Sequence, residues 1–196
     1  PLPTSDADLI YGLGGGDIIA ALGGDDQVEG GNGKDTISGD GGNDYIDGGN
    51  ARDTITGGDG DDTILGRKGK DDLRGDAGND VLKGNGQNDV LRGGDGDDVL
   101  IGGPGKNKLY GGDGNDTFVF RKAKASDKIK DFAEGDIIAL AKSGFSGLGP
   151  TGTLKAKFFH VGDQAETRAQ HILYDKDSGW LLYAKNGSAT ANPHQL

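Results

Sequence analysis

Aspartate returns every nine residues through most of this chain: Asp8, Asp17, Asp26, Asp35, Asp44, Asp53, Asp62, Asp71, Asp80, Asp89, Asp98 and Asp116, with Asn107 as the one break. No nucleophile paired with a base accompanies these carboxylates, so the chemistry open to them is the gathering of hard cations. Cysteine and methionine are absent, and His160, His171 and His194 lie outside the series with no HExxH or other metal spacing. Thiolate and imidazole sites for softer metals are therefore disfavoured.

What must position the carboxylates is a nine-residue unit. One register runs unbroken from Pro3 to Val119 as thirteen units, among them "GGNGKDTIS" at 30, "GDGGNDYID" at 39, "GGDGDDTIL" at 57, "GDAGNDVLK" at 75, "GGDGDDVLI" at 93 and "GGDGNDTFV" at 111. Aspartate holds position 6. Position 8 is apolar in every unit: Ile10, Ile19, Val28, Ile37, Ile46, Ile55, Ile64, Leu73, Leu82, Leu91, Leu100, Leu109 and Phe118. Two columns held in register for so long are not the mark of a disordered glycine-rich linker.

Six turn residues followed by an extended triplet put position 8 inward and positions 7 and 9 outward, because alternate side chains of a strand face opposite ways. Two units then make one coil, with strands on alternating sides and turns along two edges. At about 4.8 Å per coil, the thirteen units give a rod of roughly 30 Å. Its single inward row is thin, and carboxylates stacked about 5 Å apart repel by about 1 kcal/mol even in water. A hard divalent cation between coils reverses that sign. Calcium is the best candidate, because it takes many oxygens at relaxed geometry, backbone carbonyls included, whereas magnesium demands a tighter octahedron. Glycine lets the turn adopt positive φ and aim those carbonyls inward.

The whole chain has 196 residues, 40 of them glycine, with 32 acidic and 21 basic side chains and a net charge of −11. This balance argues against nucleic acid and anionic membrane surfaces as partners. No apolar run approaches the roughly 18 residues of a membrane span, and no signal peptide is visible. With no initiator methionine before Pro1, the sequence reads as part of a longer protein. Composition divides it near Phe120: residues 1–120 hold 32 glycines and 24 acidic against 10 basic residues, while residues 121–196 hold 8 acidic against 11 basic. The period is expected to stop there.

Beyond it, "SDKIKDFAEGDIIAL" reads as strand, turn and strand around Gly135, and "HILYDKDSGWLLYAKNG" as a hairpin turning through Asp175 to Gly179. A cap is the physical expectation, since an open solenoid exposes its last apolar rung and its strand edges. Asp127, Asp131 and Asp136 either add a cation site or are solvated strand-end acids. Trp180 and Tyr183 either form a sugar-binding face or pack the cap, and "NGS" at Asn186 fits the glycosylation pattern but reads better as a turn.

The unit fits GGxGxDxUx and so resembles the calcium-binding nonapeptide of RTX proteins over residues 3–119. The resemblance implies an all-β fold, a right-handed parallel β-roll with a C-terminal β cap, with residues 1–120 as the roll and 121–196 as cap and secretion region. It implies calcium as the cofactor, about eight or nine ions, and no catalysis in this region. Each ion would be held by carbonyls of positions 1 and 3 of one turn, positions 2 and 4 of the next turn on that edge, and both position-6 aspartates. One such set is Gly57, Asp59 and Asp62 with Asp76, Gly78 and Asp80. Across the chain the implied ligands are Gly12, Gly14 and Asp17; Ala21, Gly23 and Asp26; Gly30, Gly31, Asn32, Gly33 and Asp35; and Gly39, Asp40, Gly41, Gly42 and Asp44. They continue with Gly48, Gly49, Asn50, Ala51 and Asp53; Gly57, Gly58, Asp59, Gly60 and Asp62; Gly66, Gly69 and Asp71; and Gly75, Asp76, Ala77, Gly78 and Asp80. The last are Gly84, Asn85, Gly86 and Asp89; Gly93, Gly94, Asp95, Gly96 and Asp98; and Gly112, Gly114 and Asp116.

The two edges differ at position 5. One carries Asp25, Asn43, Asp61, Asn79, Asp97 and Asn115; the other Gly16, Lys34, Arg52, Lys70, Asn88 and Lys106. Lysine and arginine cannot ligate calcium, so position 5 is expected to face solvent. Weaker sites are expected on the basic edge, where "GGNARDTIT" has Ala51 in place of glycine, "GRKGKDDLR" puts Arg67 and Lys68 in the turn, and "GPGKNK" replaces the aspartate with Asn107. The first unit, "PTSDADLIY", lacks glycine and reads either as a frayed end or as a continuation from an upstream domain.

"DTFVF", "DKIKDF", "GDIIAL", "GFSGLG" and "ILYDKDSGWLLYAKNGS" resemble the segment after the roll in serralysin-type proteases and other type I secretion substrates. That likeness implies an uncleaved secretion region, an ABC transporter as partner, an extracellular place outside a Gram-negative cell and an attached domain. The expected function is a module disordered at low calcium that folds outside the cell and stabilises or chaperones that domain. Alternatives are the tail of a secreted protease, lipase or epimerase, or an anionic polysaccharide-binding module resembling the R-modules of mannuronan epimerases, through Lys34, Arg52 and Lys70. Ice binding is disfavoured because no flat outward threonine row runs through the units.

Overall fold

The computed structural model describes residues 3–121, 127–140, 159–161, 172–175 and 180–183. Its strands are, in chain order, β1 (Leu9–Tyr11), β2 (Ile18–Ala20), β3 (Gln27–Glu29), β4 (Thr36–Gly41), β5 (Tyr45–Asp47), β6 (Thr54–Asp59), β7 (Thr63–Leu65), β8 (Asp72–Ala77) and β9 (Val81–Lys83). They continue as β10 (Val90–Asp95), β11 (Val99–Ile101), β12 (Lys108–Asp113), β13 (Thr117–Phe120), β14 (Lys128–Ile129), β15 (Ile137–Leu140), β16 (Phe159–Val161), β17 (Ile172–Asp175) and β18 (Trp180–Tyr183).

Odd strands from β1 to β15 form one parallel sheet, and even strands from β2 to β14 form the other. Neighbours in each sheet are one coil apart, so Ile46 pairs with Ile64 and Ile64 with Leu82, a register of eighteen residues. The result is an all-β parallel solenoid of about seven turns. No helix of the described residues is long and apolar enough to cross a membrane.

The core is the position-8 row. From Val28 to Phe118 every member is buried, while Ile10 and Ile19 are only partly so, because no further coil lies over them among the described residues. Leu9 and Tyr11 flank Ile10 and face outward, as the period of two demands. One departure from the expected triplets is regular. Strands β4, β6, β8, β10 and β12 run for six residues, because positions 2 and 3 of the following turn keep pairing, as Gly58 does with Asp76 and Asp59 with Ala77. On the opposite edge only isolated bridges form, among them Asn32 with Asn50, Asn50 with Lys68 and Lys68 with Gly86.

The period does not stop at Phe120; it slips by two residues and resumes. Leu109 pairs with Ile129 and Phe118 with Ile138, a register of twenty. Ile129 is buried, and Phe132 packs its ring 6.1 Å from that of Phe118. The strand, turn and strand around Gly135 are therefore not a hairpin but the two sides of one more coil. The hairpin expected further on is present as the antiparallel pair β17 and β18. It covers an edge, since β18 also pairs antiparallel with β14, and β16 joins β17 in parallel. The first unit is ordered too, with β1 paired to β3. "GFSGLG", the turn after Asp175, His171, Asn186 and His194 lie outside the described residues, as do the side chains of His160, Trp180 and Tyr183.

Candidate metal centre

From Asp26 onward each position-6 aspartate uses its two oxygens differently. Oδ1 accepts the backbone N–H of the position-6 residue one coil earlier: Asp62 from Asp44 at 2.7 Å, Asp80 from Asp62 at 2.8 Å, Asp98 from Asp80 at 2.8 Å. The series is unbroken from Asp8 onward, at 2.6 to 3.0 Å, and passes through Asn107, which accepts from Asp89. It also runs past the nonapeptides, to Asp127 from Asn107 and to Asp136 from Asp116. Aspartate suits this bond because one methylene places the oxygen beside a turn N–H that has no ladder partner.

Oδ2 is left over. In Asp17, Asp26, Asp35, Asp44, Asp53, Asp62, Asp71, Asp80, Asp89, Asp98 and Asp116 it is buried and has no hydrogen-bond partner. Asp8 escapes, because its Oδ2 accepts the Thr4 N–H at 2.6 Å. A buried carboxylate oxygen without a donor is costly, and here the cost recurs at coil after coil. Burial is the main cause that pushes Asp53, Asp62, Asp71 and Asp98 up to about 7, well above the ordinary carboxylate range; the accepted N–H opposes it and neighbouring carboxylates add to it. Asp80 and Asp89 are pushed up to about 6, and Asp44 and Asp116 are raised, again chiefly by burial.

Glycine shapes the space these oxygens face. A methyl group added to Gly30 would lie 2.7 Å from Asp35 Oδ2 and 2.7 Å from the carbonyl oxygen of Gly48 in the next coil. Two oxygens from two coils thus converge on the volume that the missing side chain leaves, and Gly39, Gly57, Gly75, Gly84 and Gly93 repeat the arrangement. At position 4 of the acidic edge the backbone is left-handed. Gly24, Gly42, Gly60, Gly78, Gly96 and Gly114 have φ between +107° and +138°, and from Gly42 onward a methyl group would collide with the position-4 carbonyl of the preceding coil.

Ala51 holds the same position on the basic edge at a φ of +84°. A non-glycine residue there costs about 1–2 kcal/mol, offset by the roughly 0.5–1 kcal/mol of chain entropy that alanine saves relative to glycine. Ala51→Gly should therefore stabilise the fold by about 0.5 kcal/mol, measurable by urea denaturation in calcium.

The implied ligands from the sequence fall in the segments between the triplets, some of them, such as Gly57, Asp59 and Asp76, within the long strands β6 and β8, and these segments stack in register along one edge. The set Gly57, Asp59 and Asp62 meets Asp76, Gly78 and Asp80 through the pairs Gly58 with Asp76 and Asp59 with Ala77, and through the Asp62 N–H bonded to Asp80 Oδ1. Among the described residues no three His, Cys, Asp or Glu side chains converge as a metal-holding group. Any ion here must draw on backbone carbonyls as well. Such an all-oxygen set, buried and partly charged, suits calcium and offers nothing to a soft metal.

Position 5 is exposed on both edges. On the acidic edge it forms a second ladder of opposite sense, in which each side chain accepts the N–H one coil later: Asp25 from Asn43, Asn43 from Asp61, Asp61 from Asn79, each at 2.7 Å. Asp and Asn alternate, so no two carboxylates adjoin. On the other edge Lys34, Arg52, Lys70 and Lys106 stand exposed in the corresponding column, and Arg67 pairs with Asp47 at 2.6 Å.

Periodic reading missed Asp127, Asp131 and Asp136 as members of the turn stack. Asp127 is buried, Asp136 takes the next rung, and Asp131 Oδ1 accepts the Gly111 N–H at 2.9 Å. Asp127 is therefore not a solvated strand-end acid and Asp136 is only partly one, whereas Asp131 is exposed although its Oδ1 is bonded. The signal was present: Asp127 and Ile129 recur nine residues later as Asp136 and Ile138.

A family model described as RTX calcium-binding nonapeptide repeat (4 copies) matches residues 4–37, 11–46, 21–54, 47–82 and 83–118, which together span more than half of the chain. No curated protein matches it significantly.

Proposed function

This chain belongs to the family of RTX calcium-binding nonapeptide repeats, and from that premise we propose that it folds when calcium is plentiful and comes apart when calcium is scarce. The repeats are a non-catalytic calcium-binding module, and such repeats imply a secreted protein. The observation that carries the coupling to folding is the series of eleven buried Oδ2 atoms without a partner.

Bound calcium supplies the positive charge and the coordination that those oxygens lack. Without it, the chain's own residues disfavour the compact state. Carboxylates stacked one coil apart repel, and one inward side chain in nine is a narrow core to set against them. Because ligands brought together only by folding make ion binding a part of folding free energy, the module responds to its surroundings. In a calcium-poor cell interior it stays extended and suited to export by an ABC transporter, with residues 121–196 as the secretion region. Outside a Gram-negative cell it closes into a rod that stabilises an attached domain. About eight or nine ions, on the ligand sets given above, complete the reading.

Circular dichroism during a calcium titration, with magnesium as control, tests it. The β-signal should rise by about millimolar calcium and stay flat in equal magnesium. An unchanged spectrum in calcium would overturn the proposal.

A further inference from the structure

One compartment in the turn stack is built differently from the rest. Asn107 occupies position 6 of its unit, and its orientation is fixed, because the Asp89 N–H donates to Oδ1 at 2.8 Å and so demands an oxygen there. The amide nitrogen then stands where the other units have Oδ2. A methyl group added to Gly102 would lie 2.5 Å from Nδ2, just as one added to Gly30 would face Asp35 Oδ2. From that place Nδ2 donates to Asp127 Oδ1 at 2.8 Å and to the Gly103 carbonyl at 3.3 Å. Asp127 Oδ1 also accepts the Asn107 N–H at 3.0 Å.

In every other unit from Asp17 to Asp116 a buried oxygen looks into this space with no donor; here two N–H groups look out of it toward oxygens. The rung also carries one carboxylate instead of two, which removes the like-charge repulsion of its neighbours. We propose that the Asn107 amide takes the place of an ion, so that the last coil is fastened along this edge without calcium. The fastening includes the Lys128 N–H donating to the Asn107 carbonyl at 2.8 Å, and it places Ile129 beside Leu109. The opposite edge is unlike it, because Asp116 keeps an orphaned Oδ2 beneath Asp136.

This inference rests on the calcium reading above and is tested by counting ions on the whole chain with native mass spectrometry in saturating calcium. Asn107→Asp restores the missing oxygen and second charge and should bind one ion more than wild type. Asp127→Asn should bind the same number as wild type, since there is no ion for Asp127 to lose. An unchanged count in Asn107→Asp, or the loss of one ion in Asp127→Asn, would overturn the inference, and the second variant decides even if the first fails to fold. A wild-type chain that binds no calcium at all would instead remove the premise, and the two failures are thereby distinguished.

Discussion

In calcium-free buffer the chain should gain β-structure as it is acidified from about pH 7.5 to about pH 5. The folded ladder holds Asp53, Asp62, Asp71 and Asp98 up at about 7 and Asp80 and Asp89 at about 6, chiefly through burial, whereas the unfolded chain titrates near the ordinary aspartate value of 3.8. Between those limits the folded state binds more protons. Its stability is therefore fully present in acid and is lost as pH rises through the folded values. Protons do for the orphaned oxygens, crudely, what calcium does well. With calcium saturating, the sign reverses, because acid competes for the same oxygens and releases the ions. Far-ultraviolet circular dichroism on dialysed, ion-free protein checks the first half, with sedimentation to confirm a monomer as net charge falls. A chain no more ordered at the lower pH would contradict the picture of a ladder destabilised by its own charge.

Asp62→Ala should cost about 3 kcal/mol or more in saturating calcium, read by urea denaturation. The substitution strips the acceptor from the Asp44 N–H, now bonded at 2.7 Å, and leaves that buried group unpaired at about 1–3 kcal/mol. It also deletes an oxygen from the space between two coils. Asp62→Asn separates the two effects, since Oδ1 is kept while Oδ2 becomes an amide, and it should lie between alanine and wild type. An alanine variant within about 0.5 kcal/mol of wild type would show that neither oxygen matters.

Much of this was legible without coordinates. A nine-residue period puts one side chain in three of each triplet inward, so the buried row from Val28 to Phe118 follows from alternation alone. The unlike edges follow from position 5, whose cations could not be ligands. What stayed hidden belongs to contacts between coils. That Asp80 gives one oxygen to the Asp62 N–H and has only the other to spare is a relation across eighteen residues, and no single unit displays it. The six-residue strands are hidden for the same reason, because pairing of Asp59 with Ala77 depends on how adjacent turns stack. The last coil was lost to arithmetic: a fixed period of nine cannot follow a two-residue slip, although the pairing of Asp127 with Ile129 keeps the phase beyond it.

Because every described bond of the rod reaches only to the next coil, length is adjustable, but only in certain steps. Excising any eighteen consecutive residues within the uniform stretch keeps each edge stacked on itself, at the cost of setting Asp beside Asp or Asn beside Asn at one step of the acidic position-5 column. Excising nine changes the object. Removing residues 57–65 would set Lys70 beside Asn43 and Asn79 beside Arg52, crossing the two margins and breaking the alternation of charge on one of them. Gain and loss of repeats is therefore even-handed only in pairs, which makes the doublet, not the nonapeptide, the heritable brick of this architecture.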